Sequence, residues 1–195
     1  MRKSLLAALA VIAMPCMAQQ SSMSTMKETH SSDFAWKVGE TRYSAGYMMT
    51  RIEGDNASYK ITNPTYEPAD TMIARRRHTV ETNLQPDSVW QSYAEGVREY
   101  AIGGAVVLYV RRASIGWGNR KNFTVAIKDS NDSKVLFRET MDERMPSYDD
   151  EEGSSADYLQ IASSLIGVAL PSKFYLYVID TYGSAERYKF MVHKN

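Results

Sequence analysis

The chain has 195 residues, 23 basic and 23 acidic side chains, three histidines, one cysteine and 44% apolar residues. Balanced charge argues against a nucleic-acid binder, which needs clustered cations to neutralise phosphates. A single cysteine excludes an intrachain disulfide and a multi-cysteine metal site, and a chain of this length can bury a sufficient core without either.

The first twenty residues, MRKSLLAALAVIAMPCMAQQ, place Arg2 and Lys3 before an apolar run from Leu5 to Met14, then Cys16 and Ala18. That three-part order predicts a secretory signal peptide over 1–18, cleaved after Ala18, and hence a secreted or periplasmic protein of a bacterial cell envelope. The run is shorter than the roughly 20 apolar residues that span a bilayer, so no transmembrane anchor is expected. Lipidation of Cys16 is the competing reading, and Pro15 before it is a poor match to such a processing site. Residues 19–33 are polar, rich in Ser and Thr and without apolar period, which predicts a flexible leader. One domain is expected over 34–195.

From Phe34 onward, short apolar runs separated by turn signals predict strands. TRYSAGYMMTRI (41–52), ASYKIT (57–62) and TMIARRRHTVET (71–82) are strand candidates, with breaks at Gly54-Asp55 and from Pro64 to Pro68. Trp90, Tyr93, Ala94, Val97, Tyr100 and Ala101 recur at helical spacing behind an Asp87 or Ser88 cap, predicting a helix over about 88–101. Gly103-Gly104 opens a nearly continuous apolar strand from Ala105 to Val110, and NFTVAIKDSNDSKVLFRE (122–139) reads as a hairpin turning at Asp129 to Ser133. Tyr158, Ile161, Leu165 and Val168 suggest a second helix. The last segment, SKFYLYVIDTYGSAERYKFMV (172–192), reads as two strands and a turn. In its first strand Phe174, Leu176 and Val178 line one face and Tyr175, Tyr177 and Ile179 the other, while Asp180 opens the turn, where its carboxylate would bond backbone. The sum is a mainly β protein, an antiparallel β-sandwich of immunoglobulin-like or jelly-roll-like type with one or two short helices.

Catalytic chemistry is poorly supplied. His30, His78 and His193 accompany no nucleophile elbow and no metal-ligand spacing, so no catalytic residue is assigned. The acidic run at 142–152 offers hard oxygen ligands on a loop, with Asp149, Asp150 and Glu152 the candidates for weak Ca²⁺ binding or for a carboxylate-dependent hydrolase. Asp129, Asn131 and Ser133 alternate as in a calcium loop, yet without its central Gly or closing Glu. No other cofactor is expected. Thirteen tyrosines and three tryptophans are the other excess. Tyr175, Tyr177 and Trp117, the last set between two glycines, are the candidate surface for a glycan or protein of the cell surface. Asp70-Thr71-Met72 and Asp87-Ser88-Val89 resemble the short Asp-Ser/Thr-aliphatic O-glycosylation motif of secreted Bacteroidetes proteins. The expectation is a non-enzymatic binding module, with the carboxylate-dependent alternative resting on the acidic loop.

Overall fold

Alternating inward and outward side chains make strands the commonest element of this fold. The computed structural model describes residues 36–57, 59–148, 158–183 and 185–195, so the expected signal peptide and leader lie outside the described residues. Among the described residues, ten strands form two antiparallel sheets: β1 (Thr41–Ser44), β2 (Tyr47–Glu53), β3 (Lys60–Glu67), β4 (Ala105–Arg112), β5 (Phe123–Lys128), β6 (Val135–Thr140), β7 (Ser147–Tyr148), β8 (Tyr158–Leu165), β9 (Lys173–Asp180) and β10 (Glu186–Lys194). The first sheet has the order β1-β2-β10-β9-β5-β6 and the second β3-β4-β8-β7. Two helices, α1 (Ala69–Thr82) and α2 (Ser88–Tyr100), form an excursion between β3 and β4, after which the chain returns to pair with the strand it left.

The core lies between the sheets. Val106, Leu108 and Val110 of β4 meet Phe174, Leu176 and Val178 of β9, Val125 and Ile127 of β5, and Tyr188, Phe190 and Val192 of β10. Burying each such side chain contributes about 1.5–3 kcal/mol. Edge-to-face rings extend the packing, Trp36 on Phe190 at 5.4 Å and Tyr66 on both Tyr47 and Phe174 at 5.0 and 5.1 Å. That geometry sets the positive edge of one ring on the negative face of the next.

The two hairpins at 122–139 and 172–192 and the helix at 88–101 form as expected. The 41–52 segment folds back on itself: Ala45 and Gly46 both take positive φ, 51° and 77°, the conformation of a type I′ turn joining β1 to β2. The 71–82 segment is helix rather than strand. Val80 follows the apolar pair Met72 and Ile73 by eight and seven residues on one stripe, Arg77 pairs with Glu81 one turn on, Arg76 and Arg77 pack on α2, and Arg75 turns to Glu67. The segment at 158–165 is strand rather than helix. Its helical spacing of Tyr158, Ile161 and Leu165 coexists with a period of two in which Gln160, Ala162 and Ser164 are buried and Leu159, Ile161, Ser163 and Leu165 face out. Pairing with the central strand β4 along eight residues decides between the two patterns. Pro64 interrupts nothing, because β3 is an edge strand bonded only to β4, and a missing N–H is tolerated there.

Candidate functional site

The second sheet buries one face against the first and turns the other toward the helices. On that outer face the register aligns three cross-strand rows: Glu67, Ala105 and Leu165; Thr65, Val107 and Ser163; Asn63, Tyr109 and Ile161. All nine side chains floor a cavity of about 590 Å³. Helices α1 and α2 cover the sheet only at its Ala105 and Leu165 end, where Met72, Val97 and Ala101 pack, and so form one wall. The β1–β2 hairpin supplies the other through Tyr43, Ser44 and Tyr47. The volume is in the range typical of small-molecule sites, and the apolar floor set with a few polar groups is their usual make-up.

Charge in the cavity is sparse and ordered. Glu67 Oε2 meets Arg75 Nη2 at 2.8 Å, with the carboxylate side chain 11% exposed and the guanidinium side chain 50%. Burial pushes the Glu67 carboxyl above its usual range, and the Arg75 charge and hydrogen bond offset that only in part. Burial also raises Tyr93, with Glu67 adding in the same direction. At the opposite wall Arg42 bonds Glu40 at 2.7 Å and lies 4.6 Å over the Trp36 ring. Asn63 accepts from the Asn56 amide at 3.0 Å. Such a cavity can hold and orient a molecule with an apolar body. Neither His78, exposed on α1, nor His193, near the end of β10, lines it.

The aromatic residues chosen from sequence separate into two environments. Tyr175 and Tyr177 point outward from β9 and are engaged there. Tyr177 is 5% exposed, its hydroxyl donates to Asp132 at 2.5 Å, and Arg187, Lys128 and Lys189 lie over its ring. Tyr175 is half-buried under the Lys189 ammonium, 4.6 Å away. Trp117 belongs to the inward side of the same strand, because its Nε1–H donates to Asp180 at 3.0 Å. It lies nearly parallel to Tyr182, centroids 6.0 Å apart at 20°, with Tyr59 at 6.1 Å on a tilt. Tyr59 and Tyr182 are 48% and 49% exposed, so the indole sits at the centre of a surface aromatic cluster.

Asp180 does bond the turn, accepting from the Tyr182 N–H at 3.0 Å. Its second oxygen reaches across the core to Arg112 at 2.9 Å, and Arg112 in turn donates to the Ile61 carbonyl and the Thr62 hydroxyl. The row Phe174, Leu176, Val178 continues inward to Asp180, and the row Val106, Leu108, Val110 continues to Arg112, so the pair is written in the alternation of both strands.

The proposed calcium ligands Asp149, Asp150 and Glu152 lie outside the described residues. Their neighbours Asp142 and Glu143 pair with Arg120 and Lys121. Asp129 is taken up by the Ser133 and Lys134 backbone N–H groups of its own turn, and no group of three or more His, Cys, Asp or Glu able to hold a metal occurs among the described residues. Thr71 of the first glycosylation-like motif lines the cavity and Ser88 of the second is exposed at the start of α2. No described helix is long and apolar enough to cross a membrane. No protein-family model, no curated protein and no solved structure matches the chain.

Proposed function

We propose that this protein is a non-enzymatic binding module, exported to the periplasm or cell surface, that takes a small molecule with an apolar body into the cavity on the outer face of its second sheet. The observation that carries the reading is the nine-residue floor, in which Val107, Ile161 and Leu165 remain only half-covered beside a wall of helices. Leaving such apolar surface in a concave site costs stability that a ligand returns on binding. The test is a Ser163→Phe variant, which fills the middle of the cavity from a position facing it. Wild-type protein is screened by thermal shift and native mass spectrometry against a library of apolar and amphipathic small molecules. Hits that are lost in the variant, with its circular dichroism and melting intact, support the reading; no hit with wild type, or hits unchanged by the substitution, would overturn it.

The Tyr59, Trp117 and Tyr182 cluster favours a second reading, a surface that stacks on the sugar rings of a cell-surface glycan. Trp117 is fixed by its bond to Asp180, and rings held rigidly lose little entropy when a partner lands on them. The charges beside the cluster are neutralised within the protein, Lys60 by Glu186 and Arg112 by Asp180, which suits an uncharged partner. Glycan-array binding that disappears with Tyr182→Ala supports this reading, and an array with no signal removes it.

A further inference from the structure

Among the described residues, three charged side chains line the cavity, Arg42, Glu67 and Arg75, and their positions are unequal. Arg42 is occupied at its own wall by Glu40 and by the Trp36 face. Glu67 lies at the back, anchored at the last position of β3, where the chain turns into α1. Arg75 stands in front of it on the second turn of α1 and spends one Nη2–H on the buried carboxylate, while half of its side chain remains open to solvent. A guanidinium carries five N–H donors in a planar fork suited to a second carboxylate. An approaching cationic head would meet the arginine before the acid. An anionic head would meet a cation whose internal partner leaves most of its donors unspent.

We propose that the ligand of this cavity is an anionic amphiphile of carboxylate type, its head bonded to the outer edge of the Arg75 guanidinium and its apolar body laid across Val107 toward the row of Tyr109 and Ile161. The proposal rests on the cavity-binding reading above and adds the head group, its partner and its orientation. From Glu67 to Asn63 the floor runs four residues along β3, about 13 Å at the rise of an extended strand, so a medium-length alkyl chain fits within it. Glu67 then acts as the internal stand-in that holds Arg75 in place while the cavity is empty. A ligand carboxylate joins it on the guanidinium, or takes its place there.

The test compares decanoate, decanol and decyltrimethylammonium, the same alkyl chain under three heads, by isothermal titration below their micelle concentrations. Decanoate is expected to bind wild type about tenfold tighter than decanol, as a charge-assisted bond over a neutral one warrants, with decyltrimethylammonium weakest. Arg75→Gln should bring decanoate down to the affinity of decanol and leave decanol unchanged, Arg75→Lys should recover part of the difference, and Glu67→Gln should tighten decanoate by removing the competing acid. Equal binding of decanoate and decanol, indifferent to Arg75→Gln, would overturn the head-group proposal and leave the cavity reading standing. Failure of all three probes to bind wild type would remove both.

Discussion

Arg112 of β4 and Asp180 of β9 meet at 2.9 Å across the space between the two sheets, both side chains closed to solvent. The contact ties the sheets together at the end of the core where the aliphatic rows run out, with the Arg112 guanidinium also lying over the Phe123 and Trp117 rings. Arg112 is shared among Asp180, the Ile61 carbonyl and the Thr62 hydroxyl, while Trp117 and the Tyr182 N–H complete the carboxylate. Removing one member strands a buried charge, so Asp180→Ala should lower stability by about 3–5 kcal/mol in urea denaturation. The paired change Arg112→Met with Asp180→Leu should recover much of that loss, because an apolar pair of similar volume leaves no charge to desolvate. A single substitution costing less than about 1 kcal/mol would show that water reaches the pair.

Gly104 links the helical excursion to the cavity on the outer face of the second sheet. Its φ is +87°, and a Cβ built on it would stand 2.2 Å from the Glu67 carbonyl and 2.9 Å from the Pro68 Cα, both backbone atoms that cannot swing aside. Gly104→Ala should therefore cost more than the roughly 1 kcal/mol of a left-handed alanine alone and should displace the β3–α1 junction that carries Glu67. A melting temperature within about 2 °C of wild type would contradict that placement.

Much of this fold is legible in two-residue alternation. The terminal hairpin and the 122–139 hairpin declare their conformation by alternation, the strand from Ala105 declares itself by a continuous apolar run that leaves its inner face open, and α2 by a clean apolar stripe. Two segments mislead for physical reasons. The α1 stripe is only three residues wide, because a helix lying at the rim of a sheet buries little, and its arginine run masks the period. Strand β8 carries small residues at Ala162, Ser163 and Ser164, which take either conformation, and its neighbour β4 settles the matter from a distance in sequence of about fifty residues. The cavity was further from reach. Its floor is a set of outward-facing residues on three strands, and only the register makes Thr65, Val107 and Ser163 neighbours. The Arg112–Asp180 pair, by contrast, follows from extending two alternations by one step past their last aliphatic residue.

Asp132 gathers the charges on the outer face of the first sheet. Lys189 bonds it at 2.8 Å, Tyr177 donates to its other oxygen, and Lys128 lies 3.3 Å away. These bonds, that of Lys189 foremost, hold the carboxyl well below the usual carboxylate range. A lowered carboxyl adds stability above the unfolded value, near 4, and that addition is lost as pH falls through the lower folded value. Asp132→Asn should cost about 1 kcal/mol at pH 7, a figure kept small by solvent screening, and should make the acid limb of a pH–stability curve shallower. Parallel curves for the two proteins below pH 4 would contradict the assignment.

Glu67 works in the opposite sense. Desolvation outweighs Arg75 and raises its carboxyl, so the buried ionised form is disfavoured relative to the unfolded chain. The stability this group contributes is then present at acid pH, below the ordinary glutamate value, and is lost as pH rises from that value through the raised one. Arg75 on α1 is the charged group that acts on it, and Tyr93 on α2 lies near enough to feel its charge. Comparing wild type with Glu67→Gln by chemical denaturation over that interval should show wild type losing ground steadily as pH increases. A pH-independent difference would mean that Arg75 compensates the burial in full. Saturating decanoate gives the same measurement a second use: by drawing the guanidinium toward its own carboxylate, the ligand should raise the Glu67 carboxyl further and extend the pH range over which the two proteins diverge.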